Sequence, residues 1–171
     1  MFDSKNRRLI AETVFDDPKA EHGIRELSEE TGLSPSTVSR HVEVLRDEGI
    51  VEVEEGVKMR VSGSGTEEFR DLKRCFNLWK LSESGLVEEI EEVCVPEAIV
   101  LFGSYSRGED VADSDIDIAV VNGGEIDQDL SEYEEDLSRR VNIHSVNLEK
   151  SKQGFKQTLA NGIVLKGYLD I

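Results

Sequence analysis

The hydrophobic positions change their period along the chain. Between residues 4 and 15, Leu9, Ile10, Val14 and Phe15 recur among charged residues at helical spacing, which predicts a helix with one apolar face, stopped by Asp16-Asp17-Pro18. His22 to Glu30 predicts a second short helix, closed by Thr31-Gly32. A third runs from Ser36 to Glu48 with Val38, His41, Val42 and Leu45 on one face. Ser34-Pro35 marks its start, a capping hydroxyl followed by proline at the first helical position, and Gly49 ends it. Because His41 falls in the apolar series, it reads as a packed core histidine. From Ile50 to Val61 the period drops to two on either side of Gly56, the pattern of a hairpin.

Ser62-Gly-Ser-Gly65 interrupts the pattern and marks a boundary. Beyond it, Phe69, Leu72, Phe76 and Trp79 recur every three or four residues, so an aromatic-rich helix face must be covered by a domain or by a second copy in a homodimer. Leu86, Val87, Ile90 and Val93 predict a further helix leading to Pro96. Strand patterns follow at Ala98–Phe102 and at Ile116, Ile118 and Val120, the second ended by Gly123-Gly124. Leu130, Tyr133 and Leu137 predict a helix, Arg140–Val146 a third strand, and Phe155, Leu159, Ile163 and Leu165 a helix with a short apolar end. The order predicts an α+β or α/β chain in three parts: residues 1–62, a helical connector over 63–95, and a small mixed-sheet domain over 96–171.

Chemistry concentrates between residues 101 and 117. Side chains of a strand alternate faces, so Asp115 and Asp117 project to one side while Ile116, Ile118 and Val120 go to the other. Two carboxylates held side by side repel unless a cation lies between them, and oxygen donors favour magnesium or manganese over zinc. Gly103 permits close backbone approach, and Ser104 offers an N–H and a hydroxyl to an anion. A phosphate-gripping turn beside a two-carboxylate metal site suggests phosphoryl or nucleotidyl transfer.

Gly103-Ser104, ten residues, then Asp115-x-Asp117 resembles the signature of the polymerase-beta-like nucleotidyltransferase superfamily, in particular its minimal branch. The likeness extends to Arg107-Gly108 and Ser114 and covers residues 96–171. It implies that Gly103, Ser104 and Arg107 hold a nucleoside triphosphate such as ATP, and that Asp115 and Asp117 hold Mg2+ or Mn2+. The family usually supplies a third carboxylate on the next strand. Strand order puts Asn142 there, which brings no charge and cannot act as a base near pH 7. His144, two residues on and on the same face, is the candidate base. Related minimal proteins are antitoxins that nucleotidylate a partner toxin, so a protein acceptor is implied by analogy.

Residues 24–51, IRELSEETGLSPSTVSRHVEVLRDEGIV, with the hairpin after them, resemble a winged helix-turn-helix domain of bacterial and archaeal regulators. The resemblance implies that Ser36, Thr37, Ser39 and Arg40 face the major groove and that Lys58 and Arg60 reach phosphate, as these residue types do. A winged helix can also serve as a protein-interaction module.

Composition qualifies both readings. With 37 acids against 20 bases the net charge is −17, distributed as −5 over residues 1–62, −4 over 63–95 and −8 over 96–171. The excess acid is therefore no tail. A folded chain with such self-repulsion suits a salt-rich, halophilic cytoplasm, or else an acidic protein with a basic partner. The acidity of residues 1–62 opposes DNA binding, less so in high salt, where counterion release contributes little. Cys75 and Cys94 lack CxxC spacing and read as reduced buried thiols rather than a disulfide. The absence of a signal peptide and of any apolar run of membrane length predicts a cytoplasmic protein without membrane contact. Two functions remain open: a nucleotidyltransferase that also binds DNA, or a DNA-bound regulator whose degenerate transferase domain senses a nucleotide. An interaction module with both sites vestigial is a third.

Overall fold

The first helical pattern forms α1 (Lys5–Asp16), whose Ile10, Ala11, Val14 and Phe15 are buried. The structure, a computed structural model, describes residues 4–54, 56 and 58–170; Glu55 and Val57 of the predicted hairpin lie outside the described residues. The chain divides into two compact units, residues 1–73 and 74–171. In the first, α2 (Ile24–Thr31) and α3 (Pro35–Asp47) bury Leu27 and Val38, Val42 and Leu45 respectively. Ser34 caps α3 by accepting the Thr37 amide at 3.3 Å, with Pro35 at the first position as the sequence predicts. Glu26 reaches back from α2 to accept the Gly23 amide at 3.0 Å.

The hairpin pairs β2 (Val51–Glu54) with β3 (Arg60–Gly63), Val53 opposite Val61. A two-residue strand β1 (His22–Gly23) adds to the other edge of β3, giving the order β1-β3-β2. Sequence pattern takes His22 as helix, because two residues are too few to show alternation.

Helix α4 (Glu67–Ser84) corrects the predicted aromatic face. Phe69 and Phe76 are buried, but Trp79 is 41% exposed and Leu72 only half-buried. The covered stripe instead passes through Lys73, Asn77 and Leu81. In the first unit, Phe69 packs on Phe15 with ring centroids 5.2 Å apart, and the buried Lys73 ammonium donates to the Phe15 carbonyl.

The second unit contains α5 (Leu86–Cys94), β4 (Ala98–Phe102), β5 (Ile116–Val121), α6 (Ser131–Leu137), β6 (Val141–Val146), α7 (Gln153–Ala160) and β7 (Ile163–Gly167). Its sheet has the order β6-β5-β4-β7, with β5 and β6 parallel and the other pairs antiparallel. β4 is buried along its whole length: Ile99 and Leu101 pack with Leu86, Ile90, Ile116 and Ile118, while Val100 and Phe102 pack with Ala119, Val121 and Leu159. Two covered faces explain why that strand reads as a continuous apolar run. The short apolar end becomes the edge strand β7, where Val164 is left 42% exposed. Both cysteines are free, Cys94 buried and Cys75 exposed, so the buried reading holds for Cys94 alone. Among the described residues no helix is long and apolar enough to cross a membrane.

Candidate functional site

Antiparallel pairing sets the end of β4 beside the start of β5, with Phe102 opposite Asp117. Gly103 therefore lies against the Asp117 carboxylate. Its φ is +78°, and a Cβ on it would stand 2.5 Å from Asp117 Oδ2, so glycine is required twice over. The chain then winds into a 3-10 turn at Tyr105–Arg107, closed by the Arg107 and Glu109 amides donating to the Ser104 carbonyl at 3.0 and 3.1 Å. Ser104 is half-buried at the head of this turn. Arg107 is exposed, its Nε donating to Glu109 Oε2 at 2.6 Å.

A buried polar network supports the turn from behind. Asn77 Nδ2 donates to the Tyr105 carbonyl at 3.0 Å and to Asp110 Oδ1 at 2.8 Å. Asp110 Oδ2 lies 3.8 Å from Arg139 Nη2, with both side chains at least nine-tenths buried. Ser106 Oγ donates to the Gly103 carbonyl at 2.8 Å. Sequence reasoning missed Asn77, Asp110 and Arg139, because nothing local separates them from the many surface polar residues. Further along, Ser114 Oγ accepts the Val111 amide at 2.9 Å and fixes the approach to Asp115.

Asp115 and Asp117 share a face, as the alternation predicts. The parallel register sets Asn142 beside Asp117 and His144 beside Ala119. Asn142 Nδ2 donates to Asp115 Oδ2 at 3.1 Å and to Asp117 Oδ1 at 3.3 Å, and His144 Nε2 stands 3.5 Å from Asp117 Oδ1. The His144 ring packs on Phe102 at 5.2 Å, and Phe102 meets Phe155 edge-on at 5.8 Å. Since oxygens of both aspartates lie within hydrogen-bond reach of one nitrogen atom, they face a common point. An all-oxygen donor pair in that arrangement fits a single hard divalent cation. An open cleft of about 730 Å3 adjoins Asp115, lined by Asp113, Ser114, Ser131, Glu134 and Arg140 among others.

In the first unit, Ser36 and Arg40 are exposed on α3, Thr37 and Ser39 are half-buried there, and Lys58 and Arg60 are exposed on the hairpin. The Thr37 and Ser36 hydroxyls lie 2.8 and 3.1 Å from Ser34 Oγ, so both belong to the helix cap. Arg60 Nη1 reaches the Glu21 carbonyl at 3.5 Å. His41 is half-buried beside Arg40 rather than packed in the core. Burial, then the Arg40 and Arg7 charges, hold its pKa below the ordinary histidine value. His22, Glu26 and Glu30 bring ligand-type atoms within 4.8 Å of one another, a grouping the sequence did not suggest.

A glycine-serine turn set against paired carboxylates on a small mixed sheet defines a nucleotidyltransferase class of domain. The three helices and the three-stranded wing preceding it define a helix-turn-helix domain. Residues 86–168 match the family model described as polymerase beta, nucleotidyltransferase, and residues 5–53 match that of the bacterial regulatory proteins of the arsR family. The chain joins an ArsR-type DNA-binding helix-turn-helix domain to a nucleotidyltransferase domain of the polymerase-beta family. No curated protein and no solved structure matches it.

Proposed function

We propose that the C-terminal domain transfers a nucleoside monophosphate from a nucleoside triphosphate to an acceptor hydroxyl, with Mg2+ or Mn2+ held by Asp115 and Asp117. The observation that carries this reading is the convergence of both carboxylates on one point directly against Gly103. The bound cation would neutralise charge on the triphosphate as pyrophosphate leaves. Gly103 admits the phosphates close to the backbone, and Ser104 contributes its amide and hydroxyl. Arg107 exchanges its Glu109 partner for a phosphate oxygen. The acceptor oxygen bonds to the α-phosphorus as the bond to pyrophosphate breaks, and its proton passes to His144 Nε2, whose ring is steadied by Phe102. The nucleotide is ATP, the acceptor is a hydroxyl of a partner protein such as a cognate toxin, and the helix-turn-helix domain holds the protein on DNA through Ser36, Thr37, Ser39, Arg40, Lys58 and Arg60.

One observation favours a second reading. Asn142 occupies the position beside Asp117 where a third carboxylate would stand, which suits a regulator that senses a nucleotide without turning it over. The test is transfer of label from α-phosphate-labelled ATP in molar potassium chloride, with cell extract as acceptor source. Label that appears with the native chain and vanishes in Asp115→Ala/Asp117→Ala supports the enzyme. ATP bound without transfer, together with ATP-sensitive DNA retardation, supports the regulator and refutes the enzyme.

A further inference from the structure

Asn142 is the side chain that meets both members of the carboxylate pair. Its amide nitrogen lies 3.1 Å from Asp115 Oδ2 and 3.3 Å from Asp117 Oδ1. Only the NH2 end can face two carboxylates at those distances, since an amide oxygen there would repel both. Its two hydrogens give one to each aspartate, so the like charges are bridged by a donor from the neighbouring strand. A divalent cation bound to both aspartates would take the place the NH2 occupies, and the amide can remain only by turning its oxygen inward. The donor set would then hold two negative charges and one neutral oxygen, which balances a single divalent ion. His144, 3.5 Å from Asp117, adds no negative charge.

We propose that Asn142 is a positioning residue that makes this a one-cation site, holding the aspartates in place by hydrogen bonds when no cation is bound and reversing its amide when one binds. The inference rests on the cation-dependent reading above and deepens it. Two consequences follow. The empty site keeps its shape without metal, so chelation leaves the folded domain intact. Further cations needed by a triphosphate arrive with the nucleotide, since no third carboxylate meets Asp115 and Asp117 where Asn142 stands.

The test uses the full chain and manganese, counted by electron paramagnetic resonance without nucleotide, together with thermal unfolding with and without chelator. Ions bound are counted as the difference from Asp115→Ala/Asp117→Ala, which discounts any held elsewhere, for example at His22, Glu26 and Glu30. The native chain should hold one such ion and stay cooperatively folded in chelator, its melting temperature falling only by what release of that single ion removes. Asn142→Asp should bind manganese at least tenfold more tightly, hold a second ion, and lose several degrees when stripped of metal, because three carboxylates then face one another unbridged. Asn142→Ala, which cannot add charge, should lose more in chelator than the native chain does without gaining the second ion. Two ions in the native chain, or no gain in affinity for Asn142→Asp, would overturn the inference while leaving the transferase reading standing. No difference between the native chain and the double variant would instead remove the cation site itself.

Discussion

Gly103 and Gly85 form a natural pair for separating backbone strain from site geometry. Their φ values are +78° and +77°, and both lie in the C-terminal unit. A Cβ on Gly85 meets nothing within 4 Å, whereas one on Gly103 would stand 2.5 Å from Asp117 Oδ2. Alanine at either position takes on the left-handed penalty, about 1–2 kcal/mol. For a unit of about 100 residues that lowers the melting temperature by roughly 5–15 °C. Only Gly103→Ala also displaces an atom of the proposed cation site. Ordinary contact begins near 3.4 Å, so the Asp117 carboxylate must retreat by roughly 0.9 Å, and misplacement of that order can cost about 100-fold in turnover. Retreat would also disturb the Asn142 and His144 approaches to Asp117, now 3.3 and 3.5 Å.

The assay is therefore a comparison of Gly103→Ala with Gly85→Ala, by thermal unfolding and by manganese titration at a temperature where both are folded. Similar losses of stability are expected, with cation affinity and label transfer falling in Gly103→Ala alone. If Gly103→Ala held manganese as tightly as Gly85→Ala, the claim that the turn and the carboxylate share one space would be refuted.

Three further outcomes are expected. Asn77→Ala removes one hydrogen bond from the buried Asp110 carboxylate, which keeps Arg139 beside it, and should destabilise the C-terminal unit by about 1.5–3 kcal/mol; an effect under about 0.5 kcal/mol in chemical denaturation would contradict the network's role. His41, whose folded pKa is depressed, should favour the N-terminal domain above its ordinary pKa of about 6.5, a contribution lost as pH falls toward the folded value. Denaturation between about pH 5 and 7 should show a fall that His41→Gln flattens, and equal slopes would contradict it. With a net charge of −17, the melting temperature should rise when potassium chloride is raised from about 0.2 to 2 M, and a fall would count against screened self-repulsion.

How far the site could be read in advance follows from the range over which sequence pattern operates. Asp115 and Asp117 were legible because alternation along one strand fixes their common face, and Gly103 because a strand must leave the sheet through a turn there. Ser34-Pro35 announced α3 for a similarly local reason. Even Asn142 could be placed, because the resemblance implies a third carboxylate on the strand after Asp117 and strand order puts Asn142 there. Asn77 and Lys73 defeated the same logic. A polar residue on a helix is ordinarily assigned to water, and here their acceptors lie 28 to 58 residues away in the chain, on Tyr105, Asp110 and Phe15. Trp79 was misassigned as the converse of that error, because the stripe those polar residues occupy left it at the edge. The polar support behind the Gly103 turn is thus the part of the site with no local signature, yet it determines where the turn presents its backbone. Spacing alone identifies the paired carboxylates and the turn beside them. That turn is backed by Asn77, Asp110 and Arg139, of which Asn77 and Arg139 lie outside the Gly103–Asp117 stretch altogether.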